Sequence, residues 1–315
     1  MIPPTTDHPP SPAGAGVDAL PDLPPIEMRR IDCGEVTLEC ALAGPDDAPL
    51  VVLLHGFPDS WTSWRRQIAA LAPRFRVAAP SLRGYGGSDR PRSVDAYRMD
   101  RLVGDVAGLI RGLGRTDACI VAHDWGGGIA WSFVIDHPEM CRKLVVCNCP
   151  HPAPFAKALR SSPRQLLKSW YMFFFQIPRL PEWLLSRNDL RAIEKTFRDL
   201  VRRTDREVFS DDDLERIKQG LRPPGAITAA VNYYRAAFRN SAAMQRYAKA
   251  PPIACPTLLI WAEDDVALSK DLTTGMEPHF TGPFSILYIP DCSHWVQQEQ
   301  PEIVNRALLE FLGET

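Results

Sequence analysis

The sequence predicts an α/β fold, with a mostly parallel central sheet, helices on both faces and a helical cap inserted after the sixth strand. Three observations lead to this prediction. Short apolar runs alternate with helix-like stretches up to residue 147, the alternation stops near residue 150, and it resumes near Pro256. Strands joined by helices pair in parallel, because each crossover returns the chain to the same end of the sheet.

The individual elements follow from their apolar patterns. Residues 27–43 alternate apolar and polar side chains, as two antiparallel strands do, and Leu50–Leu54 is an uninterrupted apolar run typical of a buried strand. Helices are then predicted at 61–71, 99–113 and 126–135, and strands at 76–79, 118–122 and 144–147. After the cap, strands are predicted at 257–261 and 284–289, with a final amphipathic helix at 302–312.

The predicted cap, residues 150–252, separates two parts of a core at 27–149 and 253–315. It contains helix-like stretches, at 165–176, 189–203, 212–219 and 226–238, and no convincing strand. Ligands of open α/β sheets bind at the carboxyl ends of the strands, so a cap there would close a pocket. Residues 1–26 are predicted to form a disordered tail, because eight of the thirty prolines fall within the first 25 residues.

Composition narrows the possible partners. The 315 residues carry 36 Lys and Arg against 38 Asp and Glu, a formal charge of −2, which leaves no basic excess for nucleic acid or an anionic membrane. No apolar run is long enough to span a bilayer, and the N-terminus lacks the pattern of an export signal. We therefore expect a cytoplasmic monomer or homodimer that acts on a small molecule.

Eight cysteines occur in a chain that is too long and too apolar to need disulfides, so we expect reduced thiols. Cys147 and Cys149 are close in sequence, but their spacing fits neither a redox pair nor a zinc-binding pair, and no histidine cluster completes a site. Neither a metal nor a cofactor is expected.

A nucleophile is predicted at residue 124. In IVAHDWGGG, residues 120–128, an apolar strand is followed by Asp124 and by small residues that open a helix. This is the form of a nucleophile elbow, a turn so sharp that its neighbours, here Ala122 and Gly126, must be small. The carboxylate is already anionic at pH 7 and attacks without deprotonation. Alone, an Asp at this place would be an ordinary helix N-cap. His123 could orient the site or simply pack.

A carboxylate and a histidine follow the last two predicted strands. AEDD, residues 262–265, comes after one, and His294 comes shortly after the other. The order nucleophile, acid, histidine is the chain order of hydrolases with a nucleophile elbow. The loop after the sixth strand offers Asn148 but no carboxylate, so the acid is expected at Asp264 or Asp265, with Glu263 as a third choice.

HGFP, residues 55–58, directly follows the buried strand Leu50–Leu54. Its glycine and proline could simply form a turn. Beside an elbow, however, the backbone N–H of Phe57 can join that of Trp125 in an oxyanion hole, which would stabilise the charge formed when water attacks an ester of Asp124.

These segments resemble the α/β-hydrolase superfamily, specifically the soluble epoxide hydrolases. The resemblance runs from about residue 28 to the C-terminus and rests on HGFPDSW (55–61), SLRGYGGSDRP (81–91), HDWGG (123–127), AEDD (262–265) and CSHWVQQEQP (292–301). It implies an α/β-hydrolase fold. Alignment with the family's acid motif implies that Asp265 is the acid that orients His294, which would be the general base.

The resemblance also implies two cap tyrosines that donate hydrogen bonds to the epoxide oxygen. The motif NYYR places the second at Tyr234 rather than Tyr233. The first lies in SWYMFFFQIP (169–178), where one alignment gives Tyr171 and the other possible position holds Phe174, which has no hydroxyl. We therefore assign Tyr171, against the alternative that it is a core residue of a cap helix.

Together these residues imply a reaction without a cofactor. Asp124 would open the epoxide and form an alkyl ester, the cap tyrosines would protonate the released oxygen, and water activated by His294 would hydrolyse the ester to a vicinal diol. The apolar composition of the cap favours lipophilic epoxides. The expected substrate-binding side chains are Phe57, Trp125, Phe174 and Trp295.

Two other functions are compatible with parts of this pattern. A haloalkane dehalogenase resembles the chain in its Asp elbow, acid and base, but it commonly has an Asn after the HG pair, where this chain has Phe57. Its leaving group also needs no proton, so the cap tyrosines would have no role. A receptor that kept the fold and lost turnover is less consistent, because all the predicted catalytic positions are occupied by suitable residues.

Overall fold

The computed structural model describes residues 23–201 and 208–313. In this part of the chain the central feature is an eight-stranded sheet in the order β1-β2-β4-β3-β5-β6-β7-β8. The strands are β1 (Glu27–Asp32), β2 (Thr37–Ala43), β3 (Leu50–Leu54), β4 (Arg76–Pro80), β5 (Ala118–His123), β6 (Cys141–Cys147), β7 (Thr257–Ala262) and β8 (Phe284–Ile289).

The sheet is mostly parallel, as the sequence predicts. β2 pairs antiparallel with both β1 and β4, and all other neighbours are parallel. Leu54 of β3 aligns with Ala122 of β5, and His123 aligns with Cys147 of β6. The carboxyl ends of the central strands therefore meet at one edge of the sheet, where ligands of such folds bind.

Helices cover both faces of the sheet, which confirms the predicted layers. On one face lie α1 (Arg65–Leu71) and α12 (Pro301–Gly313), and on the other lie α2 (Met99–Gly112) and α3 (Trp125–Asp136). A short helix, α11 (Val296–Glu299), precedes α12. Each face buries its own cluster of aliphatic and aromatic side chains against the strands, because a strand in a two-sided sheet has no solvent-facing side.

The segment between β6 and β7 is helical, and we call residues 150–252 the cap. Its helices within the described residues are α4 (Pro152–Ser161), α5 (Pro163–Lys168), α6 (Trp170–Phe174), α7 (Leu180–Val201), α8 (Asp211–Leu221), α9 (Ala226–Arg239) and α10 (Ser241–Ala248). The backbone leaves helical geometry at residues 187–190 inside α7. This arrangement confirms a helical insertion after the sixth strand.

The cap differs in detail from the pattern in the sequence. The single helix predicted at 165–176 is divided into α5 and α6 at Ser169, and α4 and α10 were not predicted. Pro163 begins α5 because proline fits the first turn of a helix, and the Ser162 side chain accepts a hydrogen bond from the Gln165 N–H. Residues 202–203 of the helix predicted at 189–203 lie outside the described residues.

The predicted tail, residues 1–26, lies outside the described residues except for 23–26. Over residues 23–201 and 208–313, no helix combines the length and apolar character needed to cross a bilayer.

Candidate active site

Asp124 lies at the apex of a strained turn between β5 and α3. Its backbone has φ 50° and ψ −120°, a conformation that a residue with a side chain rarely adopts. The turn is possible because two positions packed closely around it, Gly126 in α3 and Gly56 in the loop after β3, are glycine. A Cβ on Gly126 would lie 2.2 Å from the carbonyl oxygen of Leu54, and one on Gly56 would lie 2.4 Å from the Cβ of Asp124. This geometry matches the elbow that the sequence predicts.

His294 bridges Asp124 and Asp265. Its Nδ1 lies 2.7 Å from Oδ2 of Asp265, and its Nε2 lies 3.5 Å from Oδ2 of Asp124. All three side chains follow different strands, β5, β7 and β8, and meet at the carboxyl edge of the sheet. Of the acids that the sequence offered, only Asp265 contacts His294: Asp264 is exposed, and Glu263 pairs with Lys270.

Asp265 is held on both carboxylate oxygens. Oδ1 accepts hydrogen bonds from the N–H groups of Ala267 and Leu268, at 2.7 and 2.9 Å. Oδ2 accepts from the Asn148 side chain at 2.8 Å as well as from His294. Asn148 is fixed in turn, because its own oxygen accepts from the Ala262 N–H at 2.9 Å. In the sequence, Asn148 was considered only as a possible position for the acid and was set aside because it has no carboxylate. Its position directly after a strand was the one signal that it belongs to the site.

The mutual contacts set the charges of these three groups. Burial raises the pKa of Asp124, but the hydrogen bond and charge of His294 outweigh it and hold the pKa below its ordinary value. Burial also raises the pKa of Asp265, and His294 and Asn148 again reverse the effect. For His294, burial lowers the pKa, whereas Asp265 and Asp124 together raise it to about 10. At neutral pH the site therefore holds two carboxylates around one imidazolium.

The loop after β3 provides a hydrogen-bond donor to Asp124. The Phe57 N–H donates to Oδ1 of Asp124 at 2.7 Å. The buried ring of His55 holds this loop: Nε2 accepts from the Leu82 N–H at 2.9 Å, so Nδ1 donates to the Gly56 carbonyl. Burial lowers the pKa of His55 to about 4, which keeps the ring neutral. Trp125, the other predicted hole-forming residue, is the first residue of α3.

His123 is a neutral positioning residue for the histidine loop. Its Nε2 donates to the backbone carbonyl of His294 at 2.8 Å. Burial lowers the pKa of His123 to about 4, and the nearby charge of His294 acts in the same direction. The sequence left two roles open for this residue, orientation of the site and packing. His123 is buried, and it also makes a hydrogen bond to the His294 loop.

Both predicted cap tyrosines lie over the site. The rings of Tyr171, on α6, and Tyr234, on α9, are in edge contact with centroids 5.7 Å apart. The Tyr234 ring also contacts Trp125 and Phe57, at 5.0 and 5.4 Å. Burial raises the pKa of each tyrosine and the charge of Asp124 raises it further, so both hydroxyls remain protonated.

The adjacent Tyr233 is engaged elsewhere. Its hydroxyl donates to the Arg83 carbonyl at 2.7 Å, and its ring packs against Tyr97. Consecutive residues on a helix point about 100° apart, so only one of the two tyrosines of α9 can face the elbow.

The predicted substrate-binding side chains divide into two groups. Phe57 and Trp125 are half-buried, and their rings contact that of Tyr234. Phe174 is half-buried farther along α6, beside Trp170. Trp295 is only 2% exposed and packs against Phe197 of the cap, with ring centroids 4.4 Å apart.

Phe175 was not singled out in the sequence. Its buried ring contacts Phe57, Tyr171 and Tyr234, so it packs the tyrosine pair against the loop after β3. Among residues 23–201 and 208–313, no group of three or more His, Cys, Asp or Glu side chains is arranged to hold a metal ion.

The sequence of the chain is similar to those of known hydrolases. The family described as alpha/beta hydrolase fold matches residues 49–301. Epoxide hydrolase 3 of Xenopus tropicalis is 39% identical over 289 residues, which cover 91% of this chain and 77% of the relative. Epoxide hydrolase 1 of Caenorhabditis elegans is 40% identical over 290 residues, which cover 91% of this chain and 70% of the relative.

The fold is also similar to that of solved epoxide hydrolases. The crystal structure of the Bacillus megaterium epoxide hydrolase in complex with an inhibitor superposes with a TM-score of 0.83 at 29% identity, covering 91% of this chain and 100% of that one. The chain therefore belongs to the α/β-hydrolase family, and within it to the epoxide hydrolases. It is a hydrolytic enzyme of that group, as the sequence resemblance implies.

Proposed function

We propose that this protein hydrolyses lipophilic epoxides to vicinal diols through an alkyl ester on Asp124. The observation that carries the proposal is the position of two protonated phenols, Tyr171 and Tyr234, over an anionic nucleophile. A carboxylate can attack many electrophiles, but an opened epoxide releases a strongly basic alkoxide that needs a proton at once. Relatives named as epoxide hydrolases support the same activity.

In the first step, Oδ2 of Asp124 is the attacking atom. The other oxygen, Oδ1, already accepts the hydrogen bond from the Phe57 N–H. The Oδ2–carbon bond forms as the carbon–oxygen bond of the epoxide breaks, and the electron pair goes to the epoxide oxygen. A hydroxyl of Tyr171 or Tyr234 transfers its proton to that oxygen. The products are a neutral ester and a tyrosinate.

Ester formation converts His294 into a base. In the free enzyme the two carboxylates hold its pKa at about 10, so the imidazole is protonated. The ester carries no charge, and the loss of that neighbour lowers the pKa of His294. Its proton then replaces, through solvent, the proton that the tyrosine gave up. Asp265 continues to orient the neutral ring through Nδ1.

In the second step, Nε2 of His294 takes a proton from water and the hydroxide oxygen adds to Cγ of Asp124. The carbonyl electron pair moves to Oδ1, where the N–H groups of Phe57 and Trp125 stabilise the negative charge. Collapse of this intermediate breaks the Cγ–Oδ2 bond. The departing alkoxide takes the proton from His294, and the diol leaves. The new carboxyl group of Asp124 then passes its proton to His294, which restores the carboxylate and the imidazolium of the free enzyme.

The site also suggests the character of the substrate. Phe57, Trp125, Phe174 and Trp295 are the proposed apolar contacts, and the cap, residues 150–252, would shield them from water. We place the enzyme in the cytoplasm, because all eight cysteines are free thiols, which is usual in a reducing compartment.

Replacement of the nucleophile tests the proposal directly. Asp124→Ala should abolish diol formation from styrene oxide, and Tyr171→Phe/Tyr234→Phe should lower kcat by about 10²–10⁴, the usual contribution of general acid catalysis.

In His294→Gln the ester should form but persist, so the intact mass should rise by the mass of the epoxide. Halide release from 1-bromobutane without diol formation from any epoxide would instead identify a haloalkane dehalogenase.

A further inference from the structure

The cap carries a concentration of exposed large apolar side chains. Of the ten such residues in the described chain, seven fall between positions 167 and 184: Leu167, Trp170, Phe173, Ile177, Leu180, Trp183 and Leu184. Phe238 of α9 joins them through ring contact with Phe173. We call these eight residues the cap face. Leu167, Trp170 and Trp183 are 76%, 62% and 54% exposed. A clustered apolar surface of this kind marks an interaction site rather than ordinary surface variation.

Basic side chains accompany the cap face. Residues 152–181 contain five Lys or Arg and no Asp or Glu, although Arg164 lies 3.7 Å from Asp271 and Lys168 donates to the Asp265 carbonyl. Arg179 is exposed within the face, and the guanidinium of Arg187 lies 4.4 Å above the ring of Trp183. Arg179 and Arg187 therefore give the cap face two exposed positive charges, although the formal charge of the whole chain is −2.

We propose that the cap face binds the surface of a lipid bilayer that contains anionic lipids. Tryptophan and phenylalanine insert at the boundary between headgroups and acyl chains, and neighbouring Lys and Arg bind anionic headgroups. A second copy of the chain fits the surface less well. In a two-fold dimer the same patch lies on both sides of the interface, so the basic residues of both copies would be brought into one interface without an acidic partner from the face itself.

In this binding mode the same helix, α6, contacts both the bilayer and the candidate active site. Helix α6 turns Trp170 and Phe173 outward, while Tyr171 of the same helix contacts Tyr234 over Asp124. A bilayer against α6 would present lipophilic molecules dissolved in it directly to the cap. The inference extends the proposed function, but vesicle binding can be measured without any epoxide, so either can fail without the other.

Sedimentation with extruded vesicles tests the proposal. The full chain should bind vesicles of phosphatidylcholine with 30 mol% phosphatidylserine, bind phosphatidylcholine alone at least tenfold more weakly, and lose affinity as salt is raised. Phe173→Ser/Trp183→Ser should bind at least tenfold more weakly than the unmodified chain. Arg179→Gln/Arg187→Gln should weaken binding only to the anionic vesicles.

Matched controls lie on other surfaces of the molecule. Met28→Ser removes an exposed apolar side chain from β1, and Arg74→Gln/Arg306→Gln removes two exposed charges. Both should bind vesicles like the unmodified chain. The proposal is overturned if the chain fails to bind anionic vesicles or if the cap-face and control variants bind equally. It is also overturned if sedimentation equilibrium reveals a dimer that Phe173→Ser/Trp183→Ser dissociates, because a second copy then covers the face.

Discussion

At the scale of single residues, the site depends on backbone positions as much as on reactive side chains. Asp124 adopts a positive φ that costs about 1–3 kcal/mol in such turns. The surrounding structure maintains this conformation, since Gly56 and Gly126 allow β3 and its loop to approach the elbow closely. The strain directs the carboxylate away from α3 and toward the Phe57 N–H and His294.

Gly126→Ala should therefore damage both stability and activity. The added methyl would meet the Leu54 carbonyl oxygen at 2.2 Å, and backbone cannot yield as a flexible side chain does. We expect a loss of about 1–3 kcal/mol in unfolding free energy and a decrease of about 10²-fold or more in kcat, because the nucleophile is displaced. Urea unfolding and steady-state kinetics measure the two effects.

Gly128→Ala is the matched control in the same helix. Apart from its chain neighbours and the backbone of its own helix, no atom lies within 4 Å of a Cβ at this position. Alanine favours helix over glycine by about 1 kcal/mol, so this variant should be fully active and equally or more stable. Equal losses in both variants would contradict the role assigned to close packing at Gly126.

At the scale of secondary-structure elements, the cap is connected to the loops that carry the proposed catalytic groups. In α5, the side chain of Gln165 donates to the Ala267 carbonyl and accepts from the Ser269 N–H, both at 3.0 Å. Lys168 donates to the Asp265 carbonyl at 2.6 Å. The cap thus stabilises the loop that carries Asp265, residues 263–269, and also covers the site.

A second connection joins α8 of the cap to the core. Asp213 accepts from Arg65 at 3.0 Å, and both side chains are largely buried. Arg65 also donates to Gln298, which donates in turn to Asp59. Asp213 has another role within the cap, because it completes the capping box of α8 with Ser210.

Asp213→Ala should loosen the cap. It removes the ion pair with Arg65 and the hydrogen bonds from Ser210 to the Asp213 carboxylate, which are one half of the capping box, and we expect a loss of about 1–2 kcal/mol in unfolding free energy. Asp212→Ala is the control: Asp212 is the exposed neighbour in the same first turn, so its replacement should cost no more than about 0.5 kcal/mol. Urea unfolding compares the two, and similar losses would mean that the core contact contributes nothing.

At the scale of the whole molecule, three buried charges are stable only because the fold brings them together. His294 has a pKa of about 10 in the folded chain against an ordinary value of 6.5. Its contribution to stability is therefore complete below pH 6.5 and is lost as the pH rises toward 10. Asp124 and Asp265 have lowered pKa values, so their contributions are present above the ordinary value of 3.8 and are lost as the pH falls.

The difference in unfolding free energy between the unmodified chain and His294→Gln should accordingly decrease from pH 6 to pH 9.5. In the unmodified chain His294 keeps both carboxylates ionised throughout this range, so His294 is the member of the three that changes its charge there. His279→Gln is a control, because burial lowers the pKa of His279 and the ring is neutral above pH 7. Urea unfolding across this range measures the slope. A pH-independent difference for His294→Gln would show that His294 is not stabilised as an imidazolium.

The sequence by itself determined the α/β alternation, the place of the cap and the elbow at Asp124. These features depend on local patterns: apolar periodicity, small residues around a turn, and the position of a residue at a strand end. The resemblance to epoxide hydrolases added candidate roles for Asp265, Tyr171 and Tyr234.

Only the tertiary structure decided which of these groups meet. Asp264 and Asp265 are equivalent in the residue pattern, yet one is exposed and the other contacts His294. His55 and the link between Arg65 and Asp213 gave no signal of their function, and Asn148 gave only its position after a strand end, because each acts on a partner far away in the chain. Such contacts depend on how strands and helices pack, and local sequence does not encode the distance between two remote side chains.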